Sequence, residues 1–349
     1  MKLAPPASGA YPSACFSPTN NEIAVATQTI DDFEALAQRP VAIVVFSNHW
    51  STKGRVDMHF PAQQVQTIWA HGSSPLVRFH PWTKLLWQSQ PDPVVSMQKI
   101  IDGRWDADLV QWLEDAKATG IPMMIDFGVE MNGAWFPWNG KWNGRGTTDG
   151  YGDPAWPDGP ERFRDAYRHV IDLSRRPDVG ADNITWSFHV DTWSRPNRAW
   201  WNKIRYYYPA NNYIDWLGLS AYGEQVPTGD PSDWETFREI LGDPGRSNSP
   251  YRQFVALSPT KPTSVSEFGV TEDPAAGDNA EWITGAFESI ADGYCPGFDS
   301  VSYWHEAWQN SHGMPDSNLR IDSSPEALAV YRAAVASPFF VSTPVFACG

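Results

Sequence analysis

Eight short runs of β-forming residues alternate along this chain with stretches of helical periodicity, the pattern of parallel βα units. The spacing predicts strands over Gly9–Tyr11, Val41–Phe46, Leu76–His80, Met123–Phe127, Ile184–His189, Trp216–Tyr222, Thr263–Ser266 and Val301–Trp304. Between them, Asp106 to Thr119 sets Leu109, Val110, Trp112, Leu113 and Ala116 on one helical stripe, and Gly120 stands where a helix stops. Pro160 to Leu173 opens with a proline and aligns Phe163, Tyr167, Val170 and Ile171, and Pro325 to Ala336 closes the chain in the same way. Eight units in 349 residues predict one domain over 1–349, a (β/α)8 TIM barrel of about 250 residues whose excess lies in long loops on the C-terminal face. The competing open doubly wound sheet carries a glycine-rich phosphate turn after its first strand, and Tyr11-Pro12-Ser13-Ala14 is not one.

Charge narrows the partners. With 41 acidic against 26 basic residues the formal charge is -15, a field that repels nucleic-acid backbones and anionic membranes. No apolar run approaches the roughly 20 residues of a membrane helix. Cys15, Cys295 and Cys348 have no metal-type spacing and could form one bridge with one thiol left over. The chain has no charged segment followed by an apolar signal core. Nineteen tryptophans are the unusual part, many of them in Gly/Asn/Pro-rich stretches. Flat aromatics there either bind the apolar faces of sugar rings or plug long loops onto the barrel. The loop from Gly133 to Gly159 alone holds Trp135, Trp138, Trp142 and Trp156.

In a TIM barrel the reacting groups sit at the C-terminal strand ends. Glu130 lies three residues past the fourth strand and Glu267 follows the seventh, on opposite sides of the barrel mouth. Each alone reads as a loop-end salt-bridge partner. Together they match glycosidic cleavage, which uses one carboxyl to protonate the leaving oxygen and a second to attack or stabilise the anomeric carbon. Glu306, after the eighth strand, reads as a supporting or outer-rim group, and Asp191, after the fifth, as a hydrogen-bond partner of substrate or arginine. Asp126 lies on the fourth strand with no role that the pattern assigns. His80 and His189 end strands three and five, and Trp82 follows His80 in Arg78-Phe79-His80-Pro81-Trp82. The eight histidines show no zinc spacing, so neither metal nor cofactor is expected. Gly218-Leu219-Ser220-Ala221-Tyr222 lacks the last glycine of a nucleophile elbow and reads as a strand, and the Asn183-Ile184-Thr185 sequon abuts one.

Glu130-Met131-Asn132-Gly133-Ala134-Trp135-Phe136-Pro137-Trp138 resembles the His-Glu-Met-Asn-Gly-x-Trp segment of glycoside hydrolase family 26, β-mannanase-like members of the retaining clan with carboxylates after strands four and seven. Ile101 to Asp106, Tyr207 to Tyr222 and Lys261 to Gly269 are similar to further segments of that family in the same order. The resemblance implies Glu130 as acid/base and Glu267 as nucleophile, with Tyr222 bonded to the nucleophile and Trp304 as the floor under the cleaved sugar. It also implies Trp135 and Trp138 along neighbouring subsites and His80 on the same sugar, and Trp82 is grouped with these substrate contacts. Where the family has a histidine before the acid/base this chain has Val129, which can neither donate nor accept, so that polar contact is absent or comes from elsewhere, with His189 the candidate. The expected activity is endo-cleavage of β-1,4-mannan by a secreted, monomeric enzyme; mixed-linkage β-glucan and β-1,3-xylan are the alternative substrates. A transglycosylase, or a catalytically weakened carbohydrate-binding barrel, is the rival class.

Overall fold

In the computed structural model, which describes residues 1–17, 22–84, 90–311 and 313–348, eight parallel strands close a barrel. In chain order they are β1 (Tyr11–Cys15), β2 (Ile43–His49), β3 (Ser74–His80), β4 (Met123–Phe127), β5 (Ile184–Asp191), β6 (Trp216–Ser220), β7 (Thr263–Phe268) and β8 (Phe298–Trp304). Each pairs with its successor, and β8 returns to β1 from Tyr11↔Ser300 to Cys15↔Trp304. Helices Thr27–Ala37, Ala62–His71, Asp106–Ala118, Asp158–Ser174, Asn279–Ala291 and Pro325–Val335 pack outside. The expected barrel is present.

Two apolar layers hold it together. The outer one joins strands to helices: Leu109, Trp112, Leu113 and Ala116 of Asp106–Ala118 are buried, and the Trp112 ring stacks on Phe79 of β3 at 4.4 Å. Each such side chain, fully buried, stabilises the fold by about 1.5–3 kcal/mol. The inner layer includes Tyr11, Ile43, Val45, Leu76, Met124 and Trp216. Leu3 seals its bottom, donating its N–H to Thr185 Oγ1 at 2.8 Å and accepting from Trp216 Nε1 at 3.2 Å. The C-terminal end is thereby left as the open one. Toward that end the interior turns polar, with Ser47, Arg78, Asp126, Ser187, His189, Ser220 and Ser266 all buried. Gly218 belongs to this crowded level, because a Cβ there would lie 2.5 Å from Ser266 Oγ and 3.1 Å from His189 Cβ.

Several boundaries differ by a few residues from the sequence expectation, and three of the differences have a plain physical reason. The first strand begins at Tyr11, where the expected one ended, because Pro12, Ser13 and Ala14 have none of the β-branched bulk by which strands are recognised. Helix Asp158–Ser174 starts two residues before Pro160, in its first turn, where backbone N–H groups have no helical partner and proline costs little. Strand β7 runs on to Phe268, so Glu267 lies within the strand and not after it. The sequon asparagine is nearly buried, its amide donating to the Ala116 and Ile121 carbonyls, which leaves no room for a glycan. All three cysteines are free.

Candidate active site

Local backbone devices aim both carboxylates. Past β4, Glu130 adopts a left-handed conformation (φ 51), and its N–H donates to the His189 carbonyl at 2.9 Å. Holding a non-glycine residue there costs on the order of 1–3 kcal/mol, so neighbours must over-determine it. Asn132 does so: its side chain accepts from Asp191 N at 2.9 Å and donates to the Asp191 carbonyl at 2.8 Å, continuing the ladder of β5 with amide atoms.

Glu267 is aimed by a bulge. Side chains of a strand alternate, so residues an odd number apart face opposite ways. Val265 and Phe268 nonetheless share the outer apolar layer. The register explains it: three steps on β7, from Val265 to Phe268, face two on β8, from Val301 to Tyr303, and two steps from Val265 to Glu267 face one on β6. The extra residue turns Ser266 and Glu267 consecutively inward, a function bulges serve beside active sites.

The result is one site at the barrel mouth. Carboxylate oxygens of Glu130 and Glu267 and a ring nitrogen of His189 lie within 4.8 Å of one another. Tyr222 donates its hydroxyl to Glu267 Oε2 at 2.9 Å, and Arg78 Nε stands 2.9 Å from Oε1 as an ion pair. Trp304 lies against this group, with the Arg78 guanidinium 4.7 Å from its ring centre and Tyr222 edge-on at 6.3 Å. Trp135 donates its indole N–H to Glu130 Oε2 at 2.7 Å. Burial lifts the Glu267 carboxyl to about 7; Arg78 opposes that rise and the Glu130 charge adds to it.

Directly below runs a buried line. His189 bonds Asp126 Oδ2 through Nδ1 and Ser220 Oγ through Nε2, each at 2.7 Å. Burial opposes charging this imidazole, but the charges of Asp126, Glu267 and Glu130 together outweigh it and raise the pKa. The order Asp–His–Ser resembles a serine nucleophile's, yet Ser220 is wholly buried and cannot meet a substrate. Nor does the group with Glu130 and Glu267 fit a metal ion. Both His189 nitrogens are engaged, and the Arg78 cation already faces Glu267.

Of the sequence-named residues, the structure brings Glu130, Glu267, Tyr222, Trp304 and Trp135 together. Four others are corrected. His189 faces the site from beneath and has no nitrogen left for a sugar, so it does not stand in for the histidine replaced by Val129. Val129 itself is buried in the outer apolar layer. His80, Trp82 and Trp138 have no accessible surface, which removes them as sugar contacts; they pack on one another at 5.3–5.5 Å, and Trp138 donates to the Val129 carbonyl at 2.7 Å. For Trp138 the plug, not the platform, is the outcome. Asp191 accepts from the Trp193 N–H and meets no arginine among the described residues. Arg78 joins the site without a motif to mark it, although an arginine on the same strand face as the inward Leu76 is a legible signal of an inward charge.

Glu306 is not an outer-rim group. It is 3% exposed, and burial, with the Glu22 charge adding and Arg320 opposing, lifts its carboxyl to about 8. The folded chain thus holds a proton that the unfolded chain releases near pH 4.5, and stability falls as pH rises from there to about 8. Glu306→Gln removes this loss. In urea unfolding the variant should match the wild type at pH 4 and exceed it at pH 9, by roughly 1.4 kcal/mol per pH unit crossed. Equal stabilities at pH 9 would contradict the buried, protonated carboxyl.

Both the sequence and the fold have known relatives. The model of glycosyl hydrolase family 26 matches residues 17–241. The chain is 27% identical over 307 residues to Endoglucanase H of Acetivibrio thermocellus, covering 88% of this chain but 29% of that protein. It is 22% identical to beta-1,3-xylanase TXYA of a Vibrio species, over 61% of this chain and 42% of that one. The chain therefore spans less than half the length of either relative. In fold it resembles a modular endo-β-1,4-mannanase from Cellulomonas fimi, with TM-score 0.61 and 16% identity over 95% of this chain and 72% of that one. With the match reaching over more than half of its residues, the chain belongs to glycosyl hydrolase family 26.

Proposed function

We propose that this protein hydrolyses a β-linked polysaccharide within the chain and with retention of anomeric configuration. The observation that carries this is that an oxygen of the Glu130 carboxylate lies within 4.8 Å of one of Glu267, an approach that suits retaining pairs, whose carboxyl groups stand about 5–5.5 Å apart, better than inverting pairs at about 6.5–9.5 Å. Glu130 gives its proton to the glycosidic oxygen as the bond from that oxygen to the anomeric carbon breaks, while Glu267 forms an ester to that carbon. Water then attacks, its proton passes to Glu130, and the ester bond breaks to restore Glu267. Tyr222 and Arg78 hold the nucleophile, and Trp304 offers its face to the sugar. Such polymers lie outside cells, so the same reading has the protein exported.

For the sugar, the first reading is a β-glucan. Mannan, expected from the sequence, moves to second place: neither Val129 nor His189 offers the polar contact that the resemblance placed beside the cleaved sugar, and the likeness to Endoglucanase H covers 88% of the chain. The C. fimi mannanase supports the mannan reading through fold alone. Reducing ends released from mixed-linkage β-glucan, glucomannan, galactomannan and β-1,3-xylan decide between them. Fastest release from β-glucan, with the β-anomer appearing first in proton NMR, is the expected result. Faster release from galactomannan reverses the ranking, and an α-anomer first overturns the mechanism.

A further inference from the structure

Arg78 is nearly buried, and its guanidinium serves two carboxylates at once. Nε faces Glu267 Oε1 at 2.9 Å, while NH1 donates to Glu22 Oε2 at 2.6 Å and to Ser47 Oγ at 3.2 Å. Ser47 closes the ring by donating its hydroxyl to Glu22 Oε2 at 3.0 Å, and its backbone N–H donates to the Glu22 carbonyl. Glu22 itself follows β1 in a left-handed conformation (φ 58), so its place is held by these bonds and not by relaxed backbone. A loop residue has been pinned against the charge that pins the nucleophile.

A guanidinium paired with a single buried carboxylate stabilises its ionised form and takes basicity from it. Nucleophilic attack by a carboxylate needs both qualities: ionised at working pH, and basic enough to attack carbon. We propose that Glu22 is a positioning residue of the catalytic pair, orienting Arg78 and drawing off part of its charge so that Glu267 stays a basic nucleophile and not one half of a closed ion pair. This rests on the reading of Glu267 as nucleophile. The groups that face Glu267 are Arg78 of β3, Glu130 past β4, His189 of β5, Tyr222 past β6 and, through Arg78, Glu22. Those that face Glu22 are Arg78, Ser47, the Cys15 thiol and Glu306. Among these, Glu130 and Glu22 lift the Glu267 carboxyl while Arg78 and His189 lower it. Glu22 reaches Glu267 through a buried guanidinium, where charges are weakly screened.

Glu22→Gln isolates the effect, because the amide oxygen still accepts from Arg78 and Ser47 while the charge is gone. The acid limb of the kcat/KM–pH profile is expected to move down by about one pH unit, the plateau kcat to fall, and KM to hold. Ser47→Ala, which loosens the loop and keeps the charge, should leave the limb in place. A carbon-13 NMR titration of labelled glutamate carboxyls, with Glu267→Gln identifying the signal, reads the same shift without any substrate. An unmoved Glu267 midpoint in Glu22→Gln overturns the inference, as does an equal shift in Ser47→Ala. If the midpoint moves but no polysaccharide is cleaved, it is the proposed function that fails.

Discussion

Glu267→Ala should lower turnover of the best polysaccharide substrate by about four to six orders of magnitude, the scale on which removing a covalent nucleophile acts, while leaving oligosaccharide affinity within a few-fold. Everything that supports Glu267 is directed at its two oxygens: Tyr222 on one, Arg78 by the other, and a bulge that turns the side chain inward. None of this is required to hold a sugar, for which Trp304 and Trp135 remain. The fold should tolerate the change, because the buried Arg78 cation keeps its ion pair with Glu22 and its bond to Ser47. Chain-resolved kinetics and isothermal titration with an oligosaccharide would show the split. Hydrolysis persisting within tenfold of wild type would mean that another group attacks, and loss of binding together with turnover would mean that Glu267 is structural.

How far the sequence carries is set by where its patterns are local. Strand order and the helix faces are legible because burial on both sides of a strand, or along one helical stripe, writes itself into consecutive residues. Leu109, Trp112, Leu113 and Ala116 are buried as their spacing requires. β1 escapes that logic, since small residues between Tyr11 and Cys15 satisfy a crowded barrel wall without any apolar run. The bulge at Ser266 and Glu267 escapes it too, because an added residue shows only against the register of its two neighbours.

The site divides along the same line. Glu130 and Glu267 are singled out by the rule that barrels place chemistry at strand ends, which needs only the strands, and the structure brings them together. Tyr222 and Trp304 come from resemblance, and the geometry joins them to Glu267. What fails is the inference from residue type to exposure. A tryptophan in a Gly/Asn/Pro-rich loop looks available to a sugar, yet Trp138 turns inward because the Val129 carbonyl needs a donor and Phe136 offers a ring to stack on at 4.4 Å. His189 looks like a substrate contact until Asp126 and Ser220, 63 and 31 residues away, take both nitrogens. Such pairings are tertiary facts, and single-chain periodicity has no access to them.

Glu130→Ala carries the second large effect, and its signature is stereochemical. On polysaccharide the loss should be about two to four orders of magnitude, the usual contribution of general acid–base catalysis. On an aryl glycoside whose phenolate leaves without a proton, the ester to Glu267 should still form and then accumulate, because no base activates water. Azide needs no base. It should restore turnover by attacking that ester and, after two inversions, give the β-glycosyl azide. In Glu267→Ala the same anion can only enter the space that the nucleophile vacated, and a single inversion gives the α-azide. Glu130→Gln is the structural control, since its amide oxygen keeps an acceptor for the Trp135 indole that Ala leaves unpaired, a loss worth about 1–3 kcal/mol. The azide products of the two alanine variants, separated by NMR, therefore assign the two carboxylates independently of any rate. An α-azide from Glu130→Ala would exchange their roles.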